Sequence, residues 1–180
     1  MIWQTNGCRT VRGGENDGKS EECLEEICMK KDLGVKPYLF PMPVLLVATY
    51  GDGDTVDVMN MAWGCACAQN MVFLKINEKH KTSENLKKRG AFTLSMADAA
   101  HLEAADFFGI ASGNTMPDIQ EFPMTLECRV IEDEMGFYGH HIIGQIVGVL
   151  AEEAVLDESG KIDPKKLYAV VYDQMQSGYY

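Results

Sequence analysis

From residue 29 onward the apolar positions fall into short runs of strand length, separated by turn residues. Pro43–Tyr50 is a nearly continuous apolar run closed by Gly51-Asp52-Gly53-Asp54, a strong turn signal, and Val56–Trp63 follows as its partner strand. Met71–Ile76, Ala91–Met96, Met124–Glu132, Ile142–Leu150 and Leu167–Tyr172 each have strand length and β-branched or apolar content. Two segments carry helix signals instead. Thr82–Arg89 opens on polar residues and stops at Gly90, the usual left-handed terminator. Ala97–Phe108, with Ser95 and Asp98 as a capping pair, ends at Gly109. Around six strands with two short helices predict a mainly β fold, a closed or half-closed barrel with the helices at its rim.

The first 28 residues lack this texture. Met1–Ser20 is rich in Gly, Asn and charge, and Ser20–Lys31 has the pattern of a short helix with Leu24, Ile27 and Cys28 on one face. The expected organisation is an extension over 1–28 and a domain over 29–180, with Met29 as a natural start. The whole chain of 180 residues suits one core of ordinary size. Its 16 basic against 27 acidic side chains give a net charge of −11. That balance argues against a sequence-independent grip on nucleic acid or an anionic membrane, both of which need a basic field. The apolar run Pro43–Ala48 falls well short of the ~20 residues of a spanning helix. Met1–Thr10 has Gln4, Thr5, Asn6 and Arg9 where a secretory signal needs an apolar stretch. The expectation is a soluble cytoplasmic protein, and its six cysteines are then expected to be reduced thiols. Cys65, Cys67, His140 and His141 could in principle form a Cys2His2 site, but a Cys-x-Cys without a second cysteine pair is weak evidence, and no metal is expected.

Four segments carry candidate chemistry. In Asn60-Met61-Ala62-Trp63-Gly64-Cys65 small residues allow a flat ligand to approach the backbone, with Asn60 and Trp63 as hydrogen-bonding groups; the alternative is a plain strand whose Trp63 fills the core. Across Asn77–Asn85 a strand end runs through Lys79, His80 and Lys81 into a helix start. Free amides and the helix dipole favour a phosphate there, with Lys79, Lys81 and Thr82 adding charge and hydroxyl; the alternative is a solvated loop. Phe108–Gly113 places Ser112 between glycines. His140 and His141 lie at the start of a strand with their rings on opposite faces, so one at most serves a given site. There is no G-x-S-x-G, H-E-x-x-H or G-x-G-x-x-G, and Glu152–Glu153 are expected to face water.

Taken in order, these segments resemble the flavin reductase-like family of FMN-binding split β-barrels, in particular its flavoredoxin-like branch. The likeness runs from near Met29 almost to Tyr180. It rests on Leu39-Phe40-Pro41-Met42-Pro43-Val44, Asn60–Gly64, Lys81-Thr82 with Asn85-Leu86, Ala91–Ser95, Ala105–Gly113, Glu121–Cys128 and Ile143–Val147. The resemblance implies a Greek-key-like split barrel, a homodimer, and FMN held non-covalently near the subunit interface. NAD(P)H or a redox protein partner would supply electrons. Carried over by position, Asn60, Met61, Ala62 and Trp63 would border the isoalloxazine with Cys65 close by. Lys79, Lys81, Thr82 and Asn85 would hold the phosphate or ribityl chain. Ser112 and His140 or His141 would lie at the flavin edge or the nicotinamide approach, the histidines being the candidate catalytic groups. The chain departs from the family pattern in a shortened stretch between Gly113 and Glu121 and in stopping at Tyr179–Tyr180. The leading expectation is a cytoplasmic FMN-dependent oxidoreductase. The alternatives are a non-enzymatic FMN electron carrier and a shortened barrel that serves as a dimerising or binding module without flavin.

Overall fold

The computed structural model describes residues 30–110 and 122–180. The expected extension 1–28, nearly all of the helix expected over Ser20–Lys31, and Ser112 lie outside the described residues. The strands are β1 (Met42–Pro43), β2 (Leu45–Tyr50), β3 (Val56–Met61), β4 (Gly64–Ala68), β5 (Met71–Ile76), β6 (Ala91–Met96), β7 (Met124–Gly136), β8 (Gly139–Ala151), β9 (Val171–Asp173) and β10 (Gly178–Tyr179). The helices are α1 (Lys81–Arg89), α2 (Leu102–Ile110) and the single turn α3 (Pro164–Leu167).

Seven strands form one antiparallel sheet in the order β3-β2-β6-β7-β8-β5-β4, with Greek-key-type crossovers that set β2 beside β6 and β5 beside β8. β3 and β4 are its two edges, yet only Ala62 and Trp63 separate them in the chain. A flat sheet of seven strands would hold its edges roughly 29 Å apart, at about 4.8 Å per neighbour. Met61 to Gly64 reaches at most about 11 Å. The sheet must therefore curl until its edges meet. The Lys75 amide of β5 donates to the Trp63 carbonyl at 2.9 Å, tying that junction to the β4 side. A smaller sheet, β1-β9-β10, stands beside this seam.

Curling sorts side chains into two cores. The inner one holds Leu45 and Val47 of β2, Val72, Leu74 and Ile76 of β5, Phe92 and Leu94 of β6, Cys128, Ile142, and Leu86 of α1. The outer one packs Val44, Leu46 and Val58 against Ala105 and Phe108 of α2, with Phe122 and Val170. β2 is buried on both faces, which is why it reads as an unbroken apolar run, whereas β5 alternates buried and half-buried residues as a one-sided strand should. Helix α1 enters the barrel end with Leu86 in the core and docks its polar side by hydrogen bonds. Thr82 Oγ1 donates to Asp57 Oδ2 at 2.7 Å, and Asn85 Nδ2 donates to Thr49 Oγ1 at 3.1 Å.

Several boundaries differ from the periodicity. α1 ends at Gly90 in a left-handed conformation (φ 65°), as expected, but its N-cap is His80, which makes no side-chain cap bond. The helix expected from Ala97 begins as a short 3-10 turn over Ala99–His101 and continues as α2 through Ile110, so Gly109 lies inside it. Asp98 is the N-cap of that opening turn but makes no side-chain cap bond, its Oδ1 lying 2.6 Å from His101 Nδ1, and Ser95 Oγ pairs instead with Thr125 Oγ1. β7 and β8 each run 13 residues, longer than their apolar stretches, because they pair with one another beyond the reach of β6 and β5. The run Leu167–Tyr172 splits between the end of α3 and β9. β4, all Gly, Cys and Ala, carries no strand propensity and forms only because β5 offers it a ladder.

Two substitutions test this packing. A Cβ at Gly144 would sit 2.5 Å from Phe92 Cζ in the inner core, so Gly144→Ala is expected to lower stability by about 1–3 kcal/mol in urea unfolding. Asp57→Ala leaves the buried Thr82 hydroxyl without its acceptor and should cost about 1–3 kcal/mol by the same measurement.

Candidate functional site: a cleft at the barrel seam

Where the edges meet, a cleft of about 540 Å³ opens, within the range typical of small-molecule sites. One wall is Asn60–Trp63, the end of β3 and the junction to β4. The floor continues through Lys75, Ile76 and Asn77 at the end of β5 to His80. Tyr172 and Tyr179 from the small sheet close the opposite side, and Tyr138 overhangs from the β7–β8 hairpin.

Each wall is fixed by a specific contact. Asn60 Nδ2 donates to the Ala105 carbonyl of α2 at 2.9 Å. This approach requires Gly109 on the next turn, since a Cβ there would come within 2.5 Å of the Asn60 side chain. Trp63 is half exposed, its backbone held by Lys75. Lys75 Nζ lies 5.1 Å from the Tyr138 ring centroid, a cation–π arrangement. The Tyr172 and Tyr179 rings are 5.8 Å apart and tilted at 48°. Tyr179 donates its hydroxyl to Asp106 Oδ1 at 2.9 Å; partial burial, and then the Asp106 charge, hold that phenol above its usual range.

His80, which lines the cleft, is the N-cap of α1. Ser83 donates its amide back to the His80 carbonyl, which leaves Lys81 and Thr82 with the orphan amides of the helix start. Lys79 and Lys81 are exposed beside them. Lys81 also pairs with Glu84 at 3.1 Å; Lys88, at 2.8 Å from the same carboxylate, and then Lys81 hold Glu84 below the usual carboxylate range.

The structure thus brings Asn60, Met61, Ala62 and Trp63 together in the cleft, with Lys79 and Lys81 next to its far end. The other candidates sit elsewhere. Thr82 and Asn85 are buried and bonded to Asp57 and Thr49, so their side chains serve the docking of α1. Cys65 is exposed on β4. His140 is buried, with Nδ1 2.5 Å from Asp133 Oδ1 and no partner for Nε2, while His141 is half-buried against the Phe73 ring. Neither histidine lines the cleft. Among the described residues no three His, Cys, Asp or Glu side chains converge as metal ligands. His80, from the candidate segment Asn77–Asn85, lines the cleft, as do Lys75, Tyr138, Tyr172 and Tyr179, which the sequence reading did not single out. They come from four separate segments, and no local motif links them.

Residues 38–174 match the family described as the flavin reductase like domain. The chain belongs to this flavin reductase-like family. Its curled seven-stranded sheet is the split barrel of that family. Flavoredoxin of Desulfovibrio vulgaris (Miyazaki F) superposes with a TM-score of 0.76 at 28% identity, over 84% of this chain and 92% of that one. A flavoredoxin from Methanosarcina acetivorans reaches 0.74 at 24% identity, over 84% and 91%. An FMN-binding protein from Thermus thermophilus reaches 0.69 at 19%, over 84% and 94%. No curated protein sequence matches the chain. The Asn60 contact offers a direct check on this flavin reductase-like cleft. Gly109→Ala gains helix propensity of about 1 kcal/mol but must displace the Asn60 amide, and the net expectation is a loss of about 1 kcal/mol in urea unfolding.

Proposed function

We propose that the chain binds FMN in the seam cleft and works as an FMN-dependent oxidoreductase that receives electrons from NAD(P)H or a redox protein partner. The observation that carries this reading is a cleft that ends at a helix start, with His80 belonging to both. A cleft walled by Trp63, Tyr172 and Tyr179 suits a flat ring, and its lining ends at His80, the N-cap of α1, whose neighbours Lys79 and Lys81 and first-turn amides suit a phosphate. In a chain of net charge −11 that basic corner is a local exception. FMN would supply the electron-transfer chemistry, and the protein supplies binding and orientation. Asn60 to Trp63 would face the ring, Lys79 and Lys81 the phosphate, and Thr82 and Asn85 would contribute by seating α1. His140, His141 and Cys65 have no assigned cofactor contact in this reading.

The same reading includes a homodimer in the cytoplasm. Ile131 and Met135 on β7, and Val147 and Val149 on β8, are exposed along stretches where these strands lack an outer neighbour. Such apolar edges suit a second copy. No described helix is long and apolar enough to cross a membrane. A second reading, an FMN electron carrier without a nicotinamide site, draws on the likeness to the two flavoredoxins.

Absorbance titration with FMN tests both readings. Stoichiometric binding and loss of flavin absorbance on anaerobic addition of NADH or NADPH are expected for the oxidoreductase. Bleaching by dithionite alone would favour the carrier, and failure to take up FMN would overturn both. Lys79→Glu and Lys81→Glu should each weaken FMN by about tenfold, or 1.4 kcal/mol, while riboflavin, which lacks the phosphate, should bind much as before. Equal losses for FMN and riboflavin would remove the phosphate assignment.

A further inference from the structure

Of the cysteines among the described residues, Cys128 behaves as the residue usually does. It is 3% exposed in the inner core, and burial pushes its thiol up to about 11. Cys65 and Cys67 are the opposite case: both are free and exposed, two positions apart on β4. Cysteine is among the most buried residue types, so two exposed thiols on one short strand need a reason.

The local backbone supplies a second observation. Cys65 lies opposite Phe73 and Ala66 opposite Val72, but Ala68, not Cys67, lies opposite Met71. Cys67 is therefore the extra residue of a β-bulge. In a regular strand, Cα atoms two residues apart are about 6.6 Å apart, at the upper limit for a disulfide, which spans roughly 4.4–6.8 Å. A bulge bends its strand and leaves its extra residue free of the ladder, so Cys67 can turn toward Cys65 without breaking a register pair. β4 is also an edge, so no strand on its outer side resists the movement.

We infer that Cys65 and Cys67 form a reversible dithiol–disulfide couple, a redox site on the strand that leaves the cleft at Trp63. Its co-reactant is a low-molecular-weight disulfide of the glutathione type. One thiol, deprotonated, attacks a sulfur of that disulfide, forming a mixed disulfide and releasing one thiolate. The other thiolate then attacks the protein sulfur of the mixed disulfide and releases the second thiol. The cysteine pair loses two electrons and two protons, and the external disulfide is reduced to two thiols. Exposure to solvent favours a labile bond over a structural one. The inference does not depend on FMN binding.

The full chain is equilibrated across a series of oxidised-to-reduced glutathione ratios, quenched in acid, alkylated with N-ethylmaleimide and digested with trypsin. Lys36 precedes Pro37 and resists cleavage, so the peptide Asp32–Lys75 carries Cys65 and Cys67 and no other cysteine. Under oxidising ratios this peptide is expected two hydrogens lighter and unalkylated, and it should return to the doubly alkylated form under reducing ratios. Cys67→Ser should instead trap a single glutathione on Cys65. A peptide that stays doubly alkylated throughout, or that carries two glutathiones, overturns the inference. So does a thiol pair protected by a stoichiometric soft metal that acid releases.

Discussion

The structure depends on a connection of two residues. Ala62 and Trp63 join the two edge strands of a seven-stranded sheet, and no flat sheet can satisfy so short a link. The curl it imposes separates an inner core from an outer one and brings the end of β3 beside the end of β5. It also leaves a cleft along the seam, because the edges are joined by Trp63 and the Lys75 amide and not zipped by a full ladder. The site is thus a consequence of how the barrel closes.

The polar residues of α1 show how folding and binding compete for the same groups. Thr82 looks like a phosphate ligand because it sits in a helix start beside lysines, and the family resemblance implies the same kind of role for Asn85. Once the barrel forms, Asp57 and Thr49, paired in register on β2 and β3, are buried on the inner face and need partners. Thr82 and Asn85 satisfy them. What α1 leaves for a ligand is its backbone amides and the exposed Lys79 and Lys81, and these do not depend on side-chain geometry inside the core. The same economy applies to Gly109. Read locally it marks a helix end; in the fold it is the smooth patch on α2 against which Asn60 packs.

Legibility followed the range of the interaction. Strands with their own apolar period, such as β5 and β6, were visible in the chain, as was the Gly90 stop of α1. β4 was not: Gly-Cys-Ala-Cys-Ala has no strand preference and is ordered by its neighbour. Of the cleft, the contiguous segment Asn60–Trp63 was legible and the rim was not. Tyr138, Tyr172 and Tyr179 come from the β7–β8 hairpin and the small sheet, and they meet only because β9 pairs with β1 and β10. The two histidines were correctly placed on opposite faces by strand alternation, yet alternation alone says nothing of Asp133 and Phe73, which engage them.

The sequence by itself determined the class of the fold, the order of its strands along the chain, and the family, because short-range periodicity, turn residues and the succession of segments are written in neighbouring positions. It also determined the acidity that makes the Lys79–Lys81 corner an exception. Only the tertiary structure decided which side chains remain available. Burial assigns Thr82, Asn85 and His140 to internal partners and leaves Trp63, Lys79, Cys65 and Cys67 to solvent. Whether a polar group is free depends on what the closed barrel sets opposite it, and that is a relation between residues far apart in the chain.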